Sequence, residues 1–349
     1  MSRQKGILAA LGAALLFGVS TPLAKLALDS TSPLLVAGLL YLGSGIGLAL
    51  ARLVRGHSSA DETPLKRADL PWLGGAIVAG GIVAPALLLF GLLHLPASSA
   101  SLLLNLEAVA TAVIAWVVFK ENVDRRVGVG FAAILLGGVL LTIPSEGRVQ
   151  LTSGALLVVA ACICWGIDNN LTRKISGSDP AQISMLKGLV AGTVNTNLAL
   201  ATGAILPSPG VGLGVAVIGF LGYGVSLTLF VRALRSLGTA RTGAYFSTAP
   251  FAGAAFALVL GQGRLDWTLG ASGLLMLIGV WLHVSEKHEH FHVHEPMEHE
   301  HLHVHDEHHQ HMHSPDDPLG EPHAHRHKHP RMKHTHAHYP DLHHRHRHD

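Results

Sequence analysis

The sequence predicts an all-α integral membrane protein. Ten transmembrane helices form two inverted five-helix repeats, followed by a disordered His-rich C-terminal tail. Three observations predict this. The first 284 residues are a series of apolar runs of membrane length, and from Ser285 onward almost every residue is His, charged or Pro. The two halves of the apolar part echo one another at fixed spacing. Lys and Arg fall almost entirely in alternate loops.

A spanning helix needs about 20 apolar residues. Runs of that kind lie at 6–28, 33–54, 71–94, 97–119, 125–143, 151–173, 181–206, 210–231, 241–261 and 265–284. The connections hold Pro, Gly, Ser or charges, as helix ends should. The longest internal one is 55–70. Domain boundaries follow: 1–145 and 146–284 for the two repeats, and 285–349 for the tail.

The repeat is clearest in two long stretches. A shift of 142 positions lays Glu107-Ala108 over Ala249-Pro250, Asp124 over Asp266 and Gly128 over Gly270. Both stretches begin with small and hydroxyl residues, carry a polar or Pro break midway and end Ala-rich. Earlier in each half, Phe17-Gly18 precedes Leu23 and Lys25 at the spacing by which Trp165-Gly166 precedes Leu171 and Arg173. Internal repeats in membrane proteins point to transporters, with the substrate path where the halves meet.

Charge sets the orientation. The apolar part carries 18 Lys+Arg against 11 Asp+Glu, and the tail 7 against 12. With the N-terminus cytoplasmic, Arg3, Lys5, Arg52, Arg55, Lys66, Arg67, Lys120, Arg125, Arg126, Arg173, Lys174, Arg235, Arg241 and Lys287 lie inside, and only Lys25, Arg148 and Arg264 outside. Both termini are then cytoplasmic, in a multi-pass protein of the inner (plasma) membrane. An odd number of helices per half makes the halves inverted.

Ten helices as five plus five, the aromatic-Gly pairs closed by Lys25 and Arg173, and a carboxylate-bearing fourth helix leading into Lys120-Glu121 resemble the drug/metabolite transporter superfamily, EamA-like branch. The resemblance covers about residues 5–284. It implies ATP-independent export or exchange of a solute such as an amino acid, metabolite or drug. Members often carry Glu-Pro in the fourth helix and its repeat. Here the pair is divided between Glu107 in the first half and Pro250 in the second.

Polar residues inside apolar runs are the candidate substrate path: Glu107, Asp168, Asn169, Lys187, Asn195 and Trp165. A carboxylate at mid-bilayer costs at least about 3 kcal/mol, so Glu107 needs a wet cavity, a cation or a proton. Proton coupling or amine binding is the functional reading; a bond between helices is the structural one. Lys187 is within reach of Asp168 or Glu107. Asn195 and Asn197, two apart on a helix, face different sides. Trp116 and Trp165 are either walls of the path or packing and interface residues. Pro85 and Pro250 kink their helices. Gly43-Ser44-Gly45-Ile46-Gly47 sits mid-helix and serves close packing rather than nucleotide binding. Cys162 and Cys164 point in different directions and pack as small apolar groups.

The tail holds 23 of the 26 histidines. His288, His290, His292, His294, His299, His301, His303 and His305 alternate with other residues, as do His323, His325, His327 and His329. Such imidazoles, with carboxylates nearby, suit Ni, Co, Zn or Cu; the alternative is a solubilising or pH-responsive tail. No cofactor is required by this reading. The partners are the lipid bilayer and a small-molecule or metal-ion substrate, with a homodimer open and no nucleic acid. Three functions remain: a secondary exporter of a small solute, a divalent-metal efflux transporter, and a membrane-tethered metal buffer or sensor. No arrangement of nucleophile and base suggests an enzyme.

Overall fold

A computed structural model describes residues 3–55, 64–119, 125–141, 152–175, 178–237, 245–284, 289–294, 297–303, 323–329 and 332–337. In the first half, helices α1 (Arg3–Ala27) and α2 (Pro33–Arg55) are unbroken. The third rod is composite: a short turn at Arg67–Asp69, then α3 (Leu70–Ala76), a π-helical stretch Ile77–Val83 and α4 (Ala84–His94). The fourth is divided into α5 (Ala97–Leu103) and α6 (Leu106–Phe119), and α7 is Arg125–Leu140. The second half repeats the plan. Helices α8 (Ser153–Lys174) and α9 (Pro180–Ala201) are unbroken, and α10 (Pro209–Gly219) passes through a π-helical stretch Phe220–Val225 into α11 (Ser226–Leu237). Then come α12 (Ala249–Val259) and α13 (Trp267–Val284).

Every predicted run thus corresponds to helix among the described residues. Six segments are long and apolar enough to cross a bilayer: Gln4–Ala27, Pro33–Val54, Arg67–His94, Ala97–Val118, Ser153–Lys174 and Pro209–Phe230. Three shorter ones, Gly128–Leu140, Ala249–Val259 and Trp267–Leu282, are also apolar. Helix α9 is long but carries Gln182, Lys187, Asn195 and Asn197, which lower its apolarity.

Packing obeys an exchange of the halves. Helix α2 lies against its counterpart α9, and α7 against its counterpart α13. The pairing of α1 with α11 and α12 mirrors that of α8 with α4 and α6. Glycine makes these approaches possible: a Cβ at Gly45 or Gly188 would fall within 3 Å of the facing backbone, as would one at Gly18 against Ala249. The Gly43–Gly47 run therefore packs, as its sequence predicts. Large apolar side chains such as Leu53, Val118, Leu136 and Leu213 face outward, toward lipid. At one end of the bundle Arg52 pairs with Asp179 at 2.9 Å, and Asp179 caps α9 through Ala181 N. At the other end Lys25 donates to the carbonyls of Leu92 and Leu95, closing α4.

Two differences from the sequence reading matter for the site. The third and eighth rods are not uniform α-helix, and their π-helical stretches lie at repeat-related positions: a shift of 142 carries Ile77–Val83 onto 219–225. In the first of them proline is the cause. Ala84 N bonds Ala79 O, and Pro85 has no N–H to give either Gly80 O or Gly81 O. Nothing in the sequence of the second explains it, since Leu227 stands where Pro85 would map. The fourth rod breaks at Leu104–Asn105, and its partner breaks at Ser247–Thr248 just before α12. Asn105 Nδ2 folds back onto Leu102 O at 2.9 Å, and Thr248 Oγ1 onto Tyr245 O at 2.6 Å.

The tail also differs. The sequence predicts disorder, because little there can be buried. Among the described residues four strands form two antiparallel pairs: β1 (Glu289–His294) with β4 (Met332–Ala337), and β2 (Met297–His303) with β3 (His323–His329). Ladder hydrogen bonds need no apolar core, which is how a segment poor in apolar residues can still pair. The register sets His290 opposite His336, His292 opposite His334, His299 opposite His327, His301 opposite His325 and His303 opposite His323. Candidate ligands His288 and His305 lie outside the described residues.

Candidate functional site

The freed carbonyls of the first π-helical stretch organise the centre of the molecule. Gly80 O accepts from Tyr41 Oη at 2.7 Å and from Trp165 Nε1 at 3.0 Å. Gly81 O accepts from Asn195 Nδ2 at 3.2 Å. Proline chemistry on one helix therefore fixes side chains from α2, α8 and α9 around it. An unmade hydrogen bond in this setting would cost about 1–3 kcal/mol, which is why each freed acceptor is used. Gly80 has a second task. A Cβ there would strike the carboxylate of Asp168, so only glycine lets α8 present that acid to the rod.

Asp168 is 5 % exposed and sits between two donors. Lys187 Nζ reaches Oδ1 at 2.6 Å and Oδ2 at 2.8 Å, and Thr172 Oγ1 donates to Oδ1 at 2.9 Å. Of the two partners the sequence allows Lys187, the structure chooses Asp168. The pair neutralises two buried charges.

Glu107 lies in the first turn of α6, where the broken rod resumes, rather than in the middle of a continuous helix. That position puts its carboxylate at the positive end of a half-helix. Oε1 accepts from Asn169 Nδ2 at 2.9 Å, and the same amide also reaches Thr111 Oγ1 at 3.1 Å. Among the described residues Oε2 takes no hydrogen bond. Next to Asn169, Asn170 is buried and ties α8 to α6 through Thr111 O at 3.0 Å, a purely structural bond.

Five predicted residues, Glu107, Asp168, Asn169, Lys187 and Trp165, thus belong to one connected constellation, and Asn195 joins it through the π-helical stretch. Asn195 is fully buried while Asn197 is exposed, as two positions on one helix require. Trp116 is 54 % exposed and stands apart. Cys162 is buried with Sγ directed at Leu103 O, and both cysteines are free. Among the described residues no three His, Cys, Asp or Glu side chains converge on a metal-sized site.

Sequence reasoning does not find Tyr41, Tyr223 or Thr111, and it singles out Phe17 as a mark of the repeat rather than as a site residue. Their rings and hydroxyl lie in apolar runs where they read as packing. One signal exists for Tyr41 and Trp165. Pro85 strips Gly80 O and Gly81 O of helical partners, so a donor from elsewhere has to be sought. An aromatic file continues from Tyr41: Tyr41 to Tyr223 at 5.4 Å between ring centroids, Tyr223 to Phe17 at 5.8 Å, Phe17 to Phe246 at 5.6 Å and Phe246 to Phe230 at 4.8 Å.

Comparison with known proteins agrees with this architecture. Residues 4–143 and 152–285 each match the EamA-like transporter family. An "uncharacterized transporter" of Methanothermobacter thermautotrophicus is 30% identical over 300 residues, which cover 81% of this chain and 87% of the relative. A solved crystal structure superposes with a TM-score of 0.60 at 19% identity, over 80% of this chain and 96% of its own; that likeness concerns the fold alone.

Proposed function

Because the chain belongs to the EamA-like transporter family, a multi-pass membrane transporter, we propose that it is a secondary exporter of a small organic solute. It works by alternating access of its two halves, with ten crossings and both termini cytoplasmic. The observation that carries this reading is Glu107. It stands at the resumption of a discontinuous helix, with one carboxylate oxygen unpartnered among the described residues and a neutralised Asp168–Lys187 pair in electrostatic reach. Half-helix termini near the centre of a repeat protein are where transporters hold solutes. A carboxylate that is empty on one side of the cycle takes a proton, and on the other side exchanges it for substrate. The repeat-related breaks before α6 and α12 are where each half can bend.

Cells expressing the protein should accumulate less of at least one solute in a panel of amino acids, amines, organic acids, drugs and metals. Glu107→Gln should reach the membrane and abolish that effect. A panel in which no solute changes contradicts the exporter reading.

A second reading, divalent-metal efflux, is favoured by one observation: the tail's register sets histidine opposite histidine at five positions. A tail so rich in histidine would gather Ni, Co, Zn or Cu beside the inner mouth. The membrane constellation weighs against metal as cargo, because Lys187 already holds Asp168 and Glu107 alone offers a divalent cation one uncompensated carboxylate. Metal capture by the tail is therefore proposed as an accessory activity.

A further inference from the structure

The two halves share a backbone plan but not a chemistry. A shift of 148 puts Asp168 on Ser20 and Trp165 on Phe17. A shift of 142 puts Glu107 on Ala249, Leu104 on Phe246 and Gly81 on Tyr223. Pro33 and Pro180, which open α2 and α9, differ by 147, and that shift puts Lys187 on Leu40. Every charge at the centre therefore lies on α6, α8 and α9. The repeat-related positions on α1, α2, α12 and its approach are uncharged: Phe17, Ser20, Leu40, Phe246 and Ala249.

These walls are joined. Tyr41, hung on the same Gly80 O as Trp165, stacks at 5.4 Å on Tyr223, and Phe17 and Phe246 extend the file. Charge adds a second constraint. Asp168 and Lys187 cancel, leaving the single negative charge of Glu107. Two hydrogen-bond acceptors at the centre are open among the described residues: Oε2 of Glu107 and Oδ1 of the fully buried Asn195. A ligand that completes the site must bring N–H donors, one positive charge and a flat apolar body.

We propose that the transported solute is an aromatic organic monoammonium ion, its ammonium on Glu107 and its ring along Phe17, Tyr223 and Phe246. This rests on Glu107 lying in the transport path. A carboxylic acid would meet like charge. An aliphatic amine would leave the aromatic file unused, and a divalent metal would need a second uncompensated carboxylate.

The test is equilibrium binding of radiolabelled tryptamine to the purified full-length protein in nanodiscs, with butylamine, indole, indole-3-acetate and nickel as competitors. Tryptamine should bind saturably and at least about tenfold more tightly than butylamine or indole, since each lacks one of the two recognised parts. Indole-3-acetate should not compete, and nickel should not displace tryptamine. Phe17→Ala should weaken tryptamine while leaving butylamine unchanged, a split that misfolding would not produce. Glu107→Gln should weaken both amines. Absence of saturable tryptamine binding to wild type, or competition by indole-3-acetate as strong as by tryptamine, overturns the inference. If the solute panel then shows Glu107-dependent export of an acid or a metal, the protein is still an exporter and only the aromatic ammonium class is wrong. Tryptamine binding with no solute exported supports the ligand class and contradicts export.

Discussion

At the scale of single residues, the buried Asp168–Lys187 pair and the capping Asp266 make opposite kinds of prediction. Lys187→Met leaves the Asp168 carboxylate uncompensated at 8 % side-chain exposure, which should cost about 3–5 kcal/mol. Asp168→Asn together with Lys187→Met should recover most of that, because both charges are gone. Thermal unfolding of the single and double variants in one detergent measures the difference. Additive losses would mean the ion pair is not the source of the effect. Asp266 stands outside the membrane, where Leu269 N at 2.8 Å and the Thr268 hydroxyl at 2.7 Å bond its Oδ1 and hold its carboxyl below the usual range. A lowered folded-state pKa stabilises above the unfolded value of about 3.9 and is lost as pH falls through the folded one. Asp266→Ala should therefore cost about 1 kcal/mol near neutrality, the ordinary worth of an N-cap, and nothing once the pH is below the folded value. A loss independent of pH would show that packing, not the cap, was removed.

At the scale of elements, the third rod ties sequence to site. Ala84 N turns to Ala79 O and Pro85 has no N–H to give, and Tyr41, Trp165 and Asn195 supply donors to Gly80 O and Gly81 O. Gly80→Ala would drive a methyl into the Asp168 carboxylate. It should destabilise by about 1–3 kcal/mol, the range for overpacking. Gly270→Ala, on α13 with open space around its Cβ position, should be neutral or slightly stabilising. Equal unfolding temperatures for the two would contradict the close fit between α4, its π-helical entry and α8. Much of this level can be read from the chain. The ten apolar runs and the Gly-rich packing face of α2 follow from pattern and composition. The π-helical stretches do not, since hydropathy is the same whichever hydrogen-bond partner is chosen, and Phe220–Val225 has no proline to betray it. The aromatic file is equally invisible. Phe17, Tyr41, Tyr223 and Phe246 come from four separate runs, and only the packing of α1, α2 and α10–α12 brings them together. In the tail, scarcity of apolar residues suggests disorder, but strand pairing draws on backbone groups that composition does not weigh.

At the scale of the whole molecule, the helices of the two halves pack in matched pairs, while the central charges lie on α6, α8 and α9. This arrangement separates what moves from what binds. The repeat-related breaks and π-helical stretches supply matched places to bend, and Glu107 with its neighbours supplies the solute's counter-charge. Reporter fusions after Thr31, Arg148 and Arg264 should read outside, and fusions after His57, Arg126 and His348 cytoplasmic; a tail on the outside would contradict the inverted arrangement and the tail's proposed metal capture together. Removing residues 286–349 should leave a folded, export-competent bundle whose activity no longer responds to nickel, cobalt or zinc, because the core of the bundle is built from residues before Ser285.

In the proposed cycle a proton and a solute compete for Glu107. Everted membrane vesicles carrying the protein, energised to an acid interior and followed with a pH-sensitive dye, test that competition most directly. Addition of the solute identified by the accumulation panel should collapse the pH gradient in wild-type vesicles and leave it intact in vesicles with equal amounts of folded Glu107→Gln. Collapse of the gradient to the same extent in both would contradict the competition.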